Sequence, residues 1–181
     1  MKVLIHSGHS GNKNVGASGT ILEDVLNNDL ATIIADIFEK GSWEVIRELE
    51  NSQLTYDQIV AEANLSKADI FITVHNNASD NSEAKGFEVY YCLGSTRGKK
   101  LAEFIAGKLK YNGFIPHGEA VKDDSQTARK YIKMMHTTNM PCILLECCFI
   151  TNEEDVEMIL KMENKIKFCQ SIFEGVKNYF I

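Results

Sequence analysis

Two stretches of the chain are apolar at nearly every position: residues 69–74, DIFITV, and residues 141–150, PCILLECCFI. A strand with one wet face alternates apolar and polar side chains, and these do not. They read as strands covered on both faces, the interior of a sheet packed between helices. Residues 86–93, GFEVYYCL, are a third run of this kind, and residues 2–5 (KVLI) and 43–49 (WEVIREL) are shorter strand-like segments. Helical repeats lie between them. Residues 21–41 carry apolar side chains at Leu22, Val25, Leu26, Leu30, Ile33, Ile34 and Ile37, with Gly41 to close the helix. Residues 55–68 read as a helix capped by Thr55, residues 96–113 as one ending at Gly113, and residues 152–180 as one or two amphipathic helices.

Strands alternating with helices over 181 residues predict an α/β fold: an open, mostly parallel twisted sheet with helices on both faces. Only two prolines occur, with no linker-like segment and no internal repeat, so residues 1–181 are expected to form a single domain. Residues 114–136 are the least regular part. Their polar run HGEAVKDDSQTARK reads as a surface excursion, a common place for substrate contacts.

Charge and cysteine usage exclude several classes. A net charge of −6 with no lysine or arginine block argues against a nucleic-acid partner and against unaided adhesion to an anionic membrane or wall. No apolar run reaches the length of a membrane span, so no membrane insertion is expected. The start, MKVLIHSGHS, has one lysine and a short apolar run, which is not a signal peptide. Synthesis in the cytoplasm and movement by another route are therefore expected. The five cysteines form no CxxC pair; most sit in apolar runs and read as reduced, buried small hydrophobes.

Chemistry-bearing residues gather where an α/β sheet binds ligands, outside the carboxyl ends of its strands. His9 follows the first strand in VLIHSGHSGNKNVGASG, His75 follows DIFITV, Glu146 lies within PCILLECCFI where the strand should be ending, and Glu23 opens the first helix. Each has a plainer reading. His9 sits in a glycine-rich turn, His75 reads equally as a hydrogen-bonded loop residue, and Glu23 suits a helix dipole. Glu146 resists one, because an unpaired carboxylate among Leu144, Leu145 and Phe149 costs several kcal/mol. His6 reads as structural, and His117 and His136 have no evident partner. Two histidines and a glutamate suit Zn²⁺ with one open position, and a further carboxylate beside it suits proton transfer. His9, Glu23 and His75 as ligands and Glu146 as base would assemble a hydrolase, although separations of 14 and 52 residues are no local motif.

In order, GHSG…GASG, LEDVLNNDLA, AN…ADIFITVHNNAS, GFEVYY and MPCILLECCFITN resemble the zinc-dependent N-acetylmuramoyl-L-alanine amidases of the type 3 group, found as bacterial autolysins and phage endolysins. The resemblance runs from Met1 to about Tyr179, the extent of a catalytic domain. It implies an open α/β fold, one zinc per chain at the positions matching His9, Glu23 and His75, and a catalytic glutamate matching Glu146. It implies hydrolysis, in peptidoglycan or a muropeptide, of the amide joining the lactyl group of N-acetylmuramic acid to L-alanine. It also implies that the glycines give wall polymer and metal access to His9. The chain departs from the family pattern at His6 and Ser7, where a dipeptide of aspartate-proline type is usual, and at Cys148, where glycine is usual. An arginine common before the second histidine is missing from TYDQIVAEAN. Two other readings share much of this pattern: a zinc peptidase cutting stem peptides, and an inert wall-binding domain. An inert module has no use for Glu146 in an apolar strand.

Overall fold

The apolar runs become the middle of a six-stranded sheet in a computed structural model that describes residues 1–9, 15–48 and 54–181. The strands are β1 (Lys2–Ser7), β2 (Glu44–Glu48), β3 (Ile70–Asn77), β4 (Phe87–Tyr91), β5 (Pro116–Asp123) and β6 (Cys142–Phe149), in the order β2-β1-β3-β6-β4-β5. The helices are α1 (Glu23–Lys40), α2 (Tyr56–Ser66), α3 (Thr96–Tyr111), α4 (Lys133–Thr137), α5 (Glu153–Leu160) and α6 (Met162–Tyr179).

Four of the five strand pairings are parallel, and β4 with β6 is antiparallel. Connection length explains the exception. Parallel neighbours need a crossover of a dozen or more residues, usually a helix. Residues 78–86 supply none, so the chain reverses after β3, and β6 later fits between β3 and β4. α3 then gives β4 and β5 their parallel crossover.

Side chains of alternate parity go to opposite faces. Val3, Ile5, Ile70, Ile72, Val74, Ile143 and Leu145 join one cluster with α1, α3 and α6. Leu4, Phe71, Tyr90, Cys142 and Leu144 join a smaller one with Ile59 and Ala63 of α2 and Met134 and Met135 of α4. The sheet is thus covered on both sides, as the unbroken apolar runs require. Thr55 caps α2 through a reciprocal pair with Gln58, and Gly41 ends α1. No helix among the described residues is long and apolar enough to cross a membrane.

Three readings of the sequence need correcting. Residues 116–123 are not an irregular excursion but the edge strand β5. His75 lies inside β3 rather than after it, and Glu146 lies inside β6 with three strand residues still to follow.

Candidate metal centre

The smaller face of the sheet is apolar at one end and polar at the other. Phe71, Thr73 and His75 share a parity along β3, as Cys142, Leu144 and Glu146 do along β6. Cross-strand register then sets His75, Glu146 and Glu88 side by side in one row over β3, β6 and β4. The row before it holds His6, Thr73, Leu144 and Tyr90.

Glu23 reaches this rim from the first turn of α1. Its Oε1 lies 3.1 Å from His75 Nδ1 and 3.4 Å from His9 Nε2, and the His9 and His75 rings meet edge to face. One donor atom from each of the three residues lies within 4.8 Å of the others. Donors around one tetrahedral zinc, each at about 2.0–2.2 Å, stand roughly 3.3 Å apart, so these spacings suit the ion.

Two glycines make room for the cluster. A Cβ on Gly8 would come 2.2 Å from the His75 ring. One on Gly16, at φ +70°, would come 2.4 Å from Glu23 Oε2 and 2.8 Å from His9. The space at both is taken by the cluster's own side chains, and not left for an incoming polymer. His9 itself has a left-handed backbone, φ 54°. The remainder of that loop, residues 10–14 with Gly11, lies outside the described residues.

Glu23 is fixed from behind. Ala17 N donates to Oε2 at 2.8 Å, and Asn27, one turn along α1, reaches Oε1 at 3.4 Å. Asn27 also donates to Gly8 O and accepts from Asn76 Nδ2, both at 2.7 Å. Cys148 Sγ donates to Asn76 Oδ1, so the thiol at this departure from the family pattern closes the chain of bonds. Burial disfavours the Glu23 charge, but bonds from His75 and Ala17 outweigh it and hold the carboxyl below its usual pKa. Burial lowers the His75 pKa in spite of Glu23. Both groups are thus held in the protonation states a cation needs of its ligands.

Glu146 differs from every other carboxylate described here. Its Oε2 is shut off from solvent and accepts no hydrogen bond. Burial raises its pKa well above the usual range, and the charges of Glu23 and Glu88 add to the effect. A cavity of about 650 Å³ opens over the rim, with His9, Glu23, His75 and Glu146 in its wall together with Tyr56 and Arg129. Residues 126–129 and 131–134, within the excursion predicted to hold substrate contacts, also line it.

All four predicted site residues therefore meet. His6 is the strut it was read as: buried, with Nδ1 2.8 Å from Thr73 Oγ1, and pushed down to about 3 by burial and by His75 and His9. His117 bonds to Lys85 O, and His136 lies by Asp124 and Cys92. Sequence reasoning missed Asn27, Asn76 and the Glu88–Lys122 pair. Asn27 had a signal: it stands four residues after Glu23, on the face of α1 that carries Leu26 and Leu30.

A family model described as N-acetylmuramoyl-L-alanine amidase matches residues 3–178. Among curated relatives, N-acetylmuramoyl-L-alanine amidase LytC of Bacillus subtilis (strain 168) is 31% identical over 98% of this chain and 35% of its own length. The endolysin of Bacillus phage SPP1 is 26% identical over 96% of this chain and 62% of its own. The chain thus spans about a third of the one and three fifths of the other. The crystal structure of an N-acetylmuramoyl-L-alanine amidase from Clostridium difficile 630 superposes with a TM-score of 0.87 at 26% identity, covering 99% of this chain and 96% of that one.

Proposed function

The chain belongs to the N-acetylmuramoyl-L-alanine amidase family, and from that premise we propose that residues 1–181 are a zinc-dependent catalytic domain acting on peptidoglycan at the cell wall. The bond cut is the amide between the lactyl carbonyl of N-acetylmuramic acid and the nitrogen of L-alanine. One observation carries the reading: two imidazoles and a carboxylate converge beside a glutamate whose buried oxygen has no partner. The donor set suits one Zn²⁺ per chain held by His9, Glu23 and His75. When bound there, zinc supplies Lewis acidity, drawing the pKa of water down towards about 7 and polarising the carbonyl.

The remaining work falls to the chain's own residues. Asn27, Asn76 and the Ala17 amide hold the Glu23 carboxylate in one orientation, which keeps the ligand set preorganised. Glu146 takes the proton of the attacking water and returns it to the departing nitrogen. The C–N bond breaks, leaving a carboxylate on the sugar's lactyl group and a free amine on the stem peptide. The apolar walls of the cavity, Tyr56 and Leu144 among them, limit competing water.

Digestion of purified peptidoglycan, with the products identified by mass, tests the reading. Release of stem peptides with a free L-alanine amine is the expected result. Cuts between amino acids with the sugar–peptide joint intact would make the protein a zinc peptidase. Binding without any release would make it an inert wall-binding domain.

A further inference from the structure

A second cluster of chemically capable side chains lies under the strap that follows β5. Of the five cysteines, all free, Cys142, Cys147, Cys148 and Cys169 are buried and Cys92 is partly exposed. Cys92 follows the last residue of β4, and its Sγ lies 3.3 Å from His136 Nδ1. The other ring nitrogen, His136 Nε2, lies 2.7 Å from Asp124 Oδ2. Asp124 is 1% exposed and also accepts the backbone N–H groups of Leu93 and Ile132, each at 2.9 Å. Tyr131 stacks on the imidazole, with centroids 4.2 Å apart and planes 22° from parallel.

These contacts fix the tautomer. An ionised carboxylate only accepts, so the bond to Asp124 places the imidazole proton on Nε2 and leaves the Nδ1 lone pair facing Sγ. Two backbone donors and His136 outweigh the burial of Asp124 and keep its carboxyl below the usual pKa, so it is ionised at neutral pH. Thiol, imidazole and buried carboxylate are thus in line as nucleophile, base and orienter. Neither Cys92 nor His136 lines the cavity of the metal centre.

We propose that Cys92 is a thiol-modification site for small disulfides, with His136 as its base and Asp124 as the positioning residue. The Cys92 proton passes to His136 Nδ1 as Sγ attacks one sulfur of the disulfide RSSR. The S–S bond of RSSR breaks and a Cys92–S–S–R bond forms. The departing RS⁻ takes the proton from His136 and leaves as RSH. Cys92 is oxidised and the released thiol is the reduced product. Base assistance is required because burial, and then the Asp124 charge, keep the Cys92 thiol above its usual pKa, so no standing thiolate supplies the reactivity.

The test uses the folded, zinc-loaded chain and 5,5′-dithiobis(2-nitrobenzoate) as the disulfide, with peptide mass mapping. It needs no wall substrate, so its outcome is independent of the amidase reading. One equivalent should react in a fast phase that maps to Cys92 and is absent from Cys92→Ser, with the other four thiols reacting only on unfolding. His136→Gln, checked for an unchanged melting temperature, should slow that phase by about 10²-fold, the lower end of what positioned proton transfer contributes. Should His136→Gln disturb the fold, His136→Asn provides the same comparison. A fast phase of undiminished rate in a folded His136 variant overturns the proposal, because exposure alone would then explain the reactivity. So does first labelling at any other cysteine.

Discussion

Glu88 and Glu146 face each other across β4 and β6, and the sheet treats them in opposite ways. Glu88 is 2% exposed and fully engaged: Asn77 Nδ2 donates to its Oε2 at 2.7 Å and Lys122 of the edge strand pairs with its Oε1. Glu146, one strand nearer the histidines, has a buried oxygen with no partner. Residue type and row are the same, so the sheet alone does not account for the difference. A chain needing only to bury two glutamates gains nothing by leaving one bare, at a cost of several kcal/mol. Glu88 is a strut with its own counterion, whereas the bare oxygen of Glu146 is what the proposed role in proton transfer calls for.

The largest effect should come from breaking the bare member. Glu146→Gln keeps the shape and removes the proposed base, so turnover of muropeptide should fall by about 10²–10⁴-fold with zinc content and melting temperature preserved. Zinc loss along with activity would make Glu146 a ligand instead. Lowered stability with per-molecule turnover intact would make it a second strut.

His6 sharpens the comparison from the neighbouring row, where a buried imidazole has its partner in Thr73. Its pKa falls from 6.5 unfolded to about 3 folded. The unfolded chain then takes up a proton that the folded chain refuses throughout that window. Stability is accordingly full above about pH 6.5 and declines as pH falls, by on the order of 4 kcal/mol by pH 3. Denaturant titrations of wild type and His6→Gln at several pH values isolate this component, which the variant should lack. Identical pH dependence in the two would mean that His6 is not held neutral.

Glu88→Gln should affect stability and not chemistry. It leaves the mostly covered Lys122 ammonium without its counterion, for a loss of about 3 kcal/mol. Adding Lys122→Met should recover most of that loss, with residual turnover following the folded fraction throughout. A collapse of turnover in fully folded Glu88→Gln would erase the contrast with Glu146.

The smallest effect belongs to the support behind Glu23. Asn27→Ala removes bonds to Glu23, Gly8 and Asn76 and should weaken zinc binding by about 10–100-fold, read by competition with a chelating dye. Unchanged affinity would show that Ala17 N and Asn76 alone orient the carboxylate.

The legibility of the site followed from how local each signal is. His75 and Glu146 were visible because DIFITV and PCILLECCFI are so apolar that a polar residue within or just after them stands out. Glu23 and His9 were placed by the strand–loop–helix order. The Glu88–Lys122 pair was not legible, because its lysine lies on β5, whose sequence PHGEAVKD has the proline, glycine and charge of an edge strand and little apolar pattern. Asn76 looks like an ordinary loop residue until the fold brings α1 against the end of β3, and Asn27 is marked only by its place on the apolar face of α1. His136 finds Asp124 across a 3₁₀ turn and an irregular strap that no periodicity announces.

Metal analysis of the chain purified without added zinc, alongside Glu146→Gln and His75→Ala, tests the central claim most directly: His9, Glu23 and His75 hold the ion while Glu146 only uses it. Wild type and Glu146→Gln should each carry one zinc per chain, and His75→Ala should lose both zinc and turnover. Wild-type protein that holds no zinc, cannot be loaded with it and still cleaves muropeptide would contradict the claim.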